Sequence, residues 1–139
     1  MSYDPNNVFA KIIRGDLPSH KVYEDDAVLV IMDIMPISPG HVLVIPKKPS
    51  RHLLDADDAT LAEAIKAVRR IAQAAMTGMG ADGVAIRQHN EEAAGQSVFH
   101  LHFNVIPRWA DRPLREHPAP MESPEVLKEN AERIRRALV

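Results

Sequence analysis

The chain has 139 residues, 45% of them apolar and 26% charged, with a formal net charge of −2. That length fits one domain with a core of its own. The charge leaves no basic excess to draw the protein to nucleic acid or an anionic membrane, and the lack of cysteine removes disulfides and thiolate metal sites.

The opening stretch MSYDPNNVFAKIIRGD has no long apolar core and carries early charges. It does not read as a signal peptide, and no later run is long enough to span a bilayer. A reducing, cytoplasmic setting is the expectation. VFAKIIRG reads as a short helix: Phe9, Ile12 and Ile13 share a face and Gly15 stops it. KVYEDD reads as a strand entering a turn at Asp25–Asp26, and AVLVIMDI as a buried strand. PISPG is a loop, because Pro36 and Pro39 cannot continue a ladder, and HVLVIP is a second apolar strand closed by Pro46.

The period then changes to that of a helix. In DDATLAEAIKAVRRIAQAAMTG, Leu61, Ile65, Val68, Ile71 or Ala72, and Ala75 recur on one side, with Asp57 or Asp58 capping the start and Gly78 the end. GVAIRQHN and VFHLHFNVIP are strand candidates joined by the loop NEEAAG. SPEVLKENAERIRRAL is a terminal helix with Ser123 as N-cap, Pro124 in its first turn and Arg135–Arg136 near the negative end of its dipole. The order predicts an α+β fold: a mainly antiparallel five-stranded sheet with a long helix and terminal helices. One domain over 1–139 is expected, with a C-terminal helical extension from about 109.

The chemistry concentrates in FHLHFNVIPR. A strand points alternate side chains to opposite faces, so Gln96, Val98, His100, His102 and Asn104 share one side and Leu101, Phe103 and Val105 the other. The apolar set anchors the segment, and the polar set needs a groove or hydrogen-bonding partners. His41, at the head of HVLVIP, adds a third imidazole. Three readings are open: ordinary satisfied histidines, a zinc site, or nucleophilic catalysis. No cysteine and no neighbouring carboxylate completes a metal set. A neutral imidazole attacks phosphorus well when its other nitrogen is held protonated, and His100 or a backbone carbonyl could fix that tautomer for His102.

AGQSVFHLHFNVIPR resembles the signature of the histidine triad (HIT) family, His-φ-His-φ-His-φ-φ preceded by Gly-Gln-Ser. HVLVIPKK resembles the family's upstream strand and VFAKIIRGDLPSHKVYEDD its N-terminal segment, so the likeness runs from about Val8 to Arg108. The nearest branches are the Hint-like purine nucleoside phosphoramidases and the bacterial HIT hydrolases. The resemblance implies hydrolysis or transfer of nucleotides at the α-phosphate, through a covalent nucleotidyl-histidine and without a cofactor or a catalytic metal. It makes His102 the nucleophile, with His100 orienting it and His41 beside them. Gln96 and Ser97 match polar groups near the phosphate and leaving group, and Asp33 the acid that binds ribose hydroxyls. Val8, Phe9, Ile12, Ile31 and Ile34 fall where the family builds its base pocket, and Gly95 precedes the motif. Asn90 lies near a family Asn, with His89 as the other aligned position. Purine nucleotide is the implied substrate, and a homodimer joined through the sheet and long-helix region the implied assembly.

Plainer readings stand beside these. Phe9 and Ile12 are core on any helical face, Asp33 can initiate the turn before Pro36, and Gln96 and Ser97 can be hairpin residues. Lys47 and Lys48 read as phosphate ligands or a solvated strand end, and Trp109 as a packing anchor or a subunit contact. The chain also departs from the family pattern. Asn104 replaces the third triad histidine; it keeps a donor but carries no titratable proton. The family's N-terminal Cys-x-x-Cys zinc pair reads Asn7 and Ala10, so no structural zinc is expected. A nucleotide-binding protein with little turnover is the alternative that Asn104 motivates.

Overall fold

The computed structural model describes residues 2–139. Helix α1 (Val8–Arg14) starts at Asn7, whose side chain accepts from the Ala10 N–H, and stops at Gly15, which adopts φ +85°. Strand β1 (Lys21–Glu24) turns into β2 (Val28–Met32) over Asp25, whose Oδ1 accepts from the N–H groups of Ala27 and Val28. β3 (Val42–Pro46) follows the proline loop, α2 (Asp58–Met79) the loop after β3, and β4 (Gly83–Arg87), β5 (Phe103–Arg108) and α3 (Pro124–Arg136) complete the chain. The five strands form one sheet in the order β1-β2-β3-β5-β4, every neighbour antiparallel.

Both faces of the middle strands are covered, which explains their unbroken apolar runs. Val28, Val30, Val42, Val44, Phe103 and Val105 pack under α2 and α3, beside Val68, Ile71, Leu127 and Ile134. Leu29, Ile31, Leu43 and Ile45 face the opposite way and pack against Phe9 of α1, with Ile12, Ile13 and Val98 at the margin.

Three expectations are corrected. The last strand begins at Phe103, not Val98. The β3–β5 register pairs Val44 with Phe103, so its continuation would set Leu101 opposite Pro46, which has no N–H to give. The chain leaves the sheet there, and the Leu101 N–H bonds to the Ser50 carbonyl at 2.9 Å instead. Helix α2 runs through Gly78 and ends at Gly80, which has φ +64°. Gly78 lies under α3, where a Cβ would come within 2.6 Å of the Arg133 carbonyl oxygen. Ile65 is 55% exposed, because the inward stripe of α2 runs through Ala64, Val68, Ile71 and Ala75.

Candidate active site

The N-terminal end of β5, the head of β3 and the N-terminal segment meet on the α1 face of the sheet. His102 Nδ1 lies 2.7 Å from the His100 carbonyl oxygen. A carbonyl only accepts, so Nδ1 carries the proton and Nε2 keeps its lone pair. The Phe9 ring meets the His102 imidazole edge-on, with centroids 4.8 Å apart. This contact fixes the ring plane of His102 from outside its own segment.

His100 is 1% exposed and satisfied at both nitrogens. Nε2–H donates to the Pro46 carbonyl at 2.7 Å, and Nδ1 accepts from the Tyr3 hydroxyl at 2.7 Å. The ring therefore ties the end of β3 to the N-terminal segment, while its carbonyl orients His102.

His41 is 3% exposed. Nδ1 accepts from the Ile37 N–H at 3.3 Å, so Nε2 bears the hydrogen and donates to Asn104 Oδ1 at 3.0 Å. Asn104 Nδ2 donates in turn to the Arg87 carbonyl across the β4–β5 pair, at 3.3 Å. An Asp33 carboxylate oxygen lies 3.6 Å from His41 Nε2, and the other accepts from the Met35 N–H at 2.8 Å. Asp33 thus begins the turn and also faces the histidines.

Burial favours the neutral form of all three imidazoles. Loss of hydration lowers the pKa of His102, against the opposing pull of the His100 carbonyl. Burial lowers that of His100, opposed by the Pro46 carbonyl. It also lowers that of His41, where Asp33 and Asn104 favour the proton and the positive charge of Arg87 opposes it.

The expected apolar residues divide by depth. Phe9 and Ile31 are buried and Ile12 is half-buried, whereas Val8 is 41% and Ile34 42% exposed. The expected polar residues divide too. Gln96 is buried and fully engaged: Nε2 donates to the carbonyls of Arg51 and Val98, and Oε1 accepts from the Glu91 N–H at 2.7 Å. Ser97 and Gly95 are exposed, Gly95 at φ +98°. Asn90 Oδ1 accepts from the Leu53 N–H at 3.0 Å and from Gln88, which receives a bond from Asn90 Nδ2 in return. The His89 ring lies against Gly95, 3.5 Å from where a Cβ would stand. Lys47 pairs with Glu24 and Lys48 with Asp57, and Trp109 Nε1 donates to the Gly80 carbonyl.

Several residues that sequence reasoning passed over hold this frame. Arg51 grips Glu91 with two nitrogens, at 2.7 and 2.9 Å, and stacks on the Phe99 ring. His52 Nε2 lies 2.8 Å from the same carboxylate. The Arg51 guanidinium holds the Glu91 carboxyl down at about 2. Glu91 has φ +73°, a conformation that L side chains rarely adopt. Glu91 is one of two adjacent glutamates in its loop, so no sequence signal singled it out. Tyr3 gave none, because its partner lies 97 residues away. Among the described residues no group of three His, Cys, Asp or Glu converges on a point that would hold a metal ion. A cavity of about 860 Å³ lies away from the histidines, between α3 and the β1 end, lined by mixed charges such as Lys21, Glu125, Lys128 and Glu132.

The buried His100 and half-buried His102 stand ahead of β5, the buried His41 stands at the head of β3, and the sheet is five-stranded and antiparallel with helices on both faces. The chain belongs to the HIT family: the HIT domain matches residues 14–111. It is 43% identical over 104 residues to "Protein hit" of Bacillus subtilis, covering 75% of this chain and 72% of that one. It is 40% identical over 116 residues to adenylylsulfatase HINT3 of Arabidopsis thaliana, covering 79% of this chain and 59% of that protein. A crystal structure of a Hit-like protein involved in cell-cycle regulation from Bartonella henselae superposes with a TM-score of 0.95 at 53% identity, covering 99% of this chain and 100% of that one. The family match ends at 111, and α3 lies beyond it, with Leu127, Ala131 and Ile134 built into the core under the sheet.

Proposed function

We propose that this protein transfers a nucleotidyl group from a substrate's α-phosphate to His102 and then to water. The carrying observation is the His102 Nδ1–His100 carbonyl bond at 2.7 Å, which leaves Nε2 as the neutral nucleophile. Phe9, Ile31 and Ile12, with Val8 and Ile34 at the edge, form the apolar wall suited to a purine base, and Asp33 takes the ribose hydroxyls. Ser97 and nearby backbone N–H groups meet the phosphate charge. Gln96 acts through the loop it holds, and Asn90 likewise, next to Gly95. Purine nucleoside phosphoramidates and dinucleoside polyphosphates are the substrate classes. The name of the Arabidopsis relative adds nucleoside phosphosulfates to the compounds worth assaying. No cofactor is required.

The test is a single-turnover assay with protein at concentrations comparable to a purine nucleoside phosphoramidate or a dinucleoside polyphosphate. Release of the leaving group that vanishes in His102→Ala supports the reading. Equal release by parent and variant contradicts it.

Asn104 favours a second reading, a nucleotide-binding protein with little turnover. It predicts nucleotide affinity that survives His102→Ala and no product above background from the parent. The family resemblance also supports a cytoplasmic homodimer; β4 is an edge strand with Ile86 43% exposed, a surface a second copy would cover. Light scattering after size exclusion tests the assembly.

A further inference from the structure

The ring protons of His41, His100 and His102 are all committed. His41 Nε2–H points at Asn104, and His41 Nδ1 accepts from Ile37. His100 Nε2–H is held by Pro46, and His102 Nδ1–H by His100. Asn104, at the third triad position, has an amide that cannot give up a proton at neutral pH. A departing amine needs a proton as its bond to phosphorus breaks, whereas a departing phosphate, sulfate or carboxylate does not.

The other side of the same position carries a cation. Arg87 is the direct cross-strand partner of Asn104, and directly opposed residues project to the same face of a sheet. Its side chain therefore rises beside Asn104 on the histidine face. It is exposed, and among the described residues no carboxylate pairs with it. Its charge bears on His41.

We propose that Asn104 and Arg87 together restrict this site to substrates whose leaving group departs from the α-phosphate as an oxyanion. The inference rests on His102 being the nucleophile. The His102 Nε2 lone pair forms a bond to phosphorus, and the bond from phosphorus to the leaving oxygen breaks. The electron pair stays on that oxygen, Arg87 meets the charge, and no proton is transferred. Water then attacks phosphorus, the nitrogen recovers its pair, and the proton from water passes to solvent. Arg87 is the specificity-determining residue, and Asn104 the one that removes the acid an amine would need.

The experiment compares kcat/KM for diadenosine tetraphosphate and for the adenosine 5′-phosphoramidate of a primary alkylamine, in the parent, Arg87→Gln and Asn104→His. The parent should prefer the tetraphosphate by about 100-fold or more, the contribution of a general acid. Arg87→Gln should shrink that ratio about tenfold, the loss of a charge-assisted contact. Asn104→His should shrink it from the other side, by raising turnover of the amine substrate. Turnover of the amine substrate at or above that of the tetraphosphate by the parent overturns the inference and leaves nucleotidyl transfer standing. So does an unchanged ratio in a folded Arg87→Gln protein. Failure of both substrates to label His102 overturns the nucleotidyl-transfer reading, and this inference with it.

Discussion

His102 Nδ1 and the His100 carbonyl oxygen stand 2.7 Å apart, two residues along the same chain. The orienting group is backbone, so no side-chain substitution deletes it. What can be altered is the ring that holds that backbone in place. Tyr3 donates to His100 Nδ1, and His100 is buried. Tyr3→Phe leaves a buried nitrogen without a partner and should cost about 1–2 kcal/mol of stability. It should also slow nucleotidyl transfer several-fold while His100→Ala slows it far more. Urea unfolding and single-turnover rates check both; a Tyr3→Phe protein with parental stability contradicts the linkage.

The pH dependence follows from burial. His102, His41 and His100 all have pKa values lowered in the folded protein, while the unfolded chain takes up protons near ~6.5. Below that value the unfolded state binds more protons than the folded one, so stability falls as pH drops from ~6.5 toward the folded values. Above ~6.5 these groups contribute no slope. The acid limb of kcat/KM likewise lies below ~6.5, because His102 stays neutral to lower pH than a free imidazole. Unfolding midpoints and initial rates between pH 5 and pH 8 measure both; a rate already halved at pH 7 contradicts this.

Glu91 opposes strain with charge. Its φ of +73° disfavours any side chain, yet its carboxylate holds Arg51 and His52. Glu91→Ala keeps the strain and loses the contacts, and Glu91→Gly loses the contacts but relieves the strain. The melting temperatures should order parent above Gly above Ala. Ala at or above Gly would mean that the backbone there is unstrained.

Gly78 tests the packing of α3. In an exposed helix interior Gly→Ala stabilises by about 1 kcal/mol. Here the added methyl would meet the Arg133 carbonyl at 2.6 Å, backbone against backbone. Overpacking of this kind costs about 1–3 kcal/mol, so Gly78→Ala should be destabilising on balance. A more stable variant would show that α3 shifts without cost.

The same glycine shows what a sequence conceals. Gly15, Ser123 and Asp57 act as caps on their own helices and were legible because a cap depends on a few adjacent residues. Gly78 was read as a stop because its reason lies on another helix, 55 residues away. The strand elements were legible from apolar runs, but the start of β5 was not, since it depends on Pro46 across the sheet. At the site, the pairing of His41 with Asn104 needed the register. Tyr3, Arg51 and Glu91 stayed hidden because each acts on a residue far away in the chain.

The most direct measurement is mass spectrometry of the protein quenched under single-turnover conditions with diadenosine tetraphosphate. The prediction is one adenylyl group per chain, localised by fragmentation to His102 and absent from His102→Ala. An adenylyl group on another residue, or turnover with no labelled chain at any quench time, would contradict nucleophilic attack by His102.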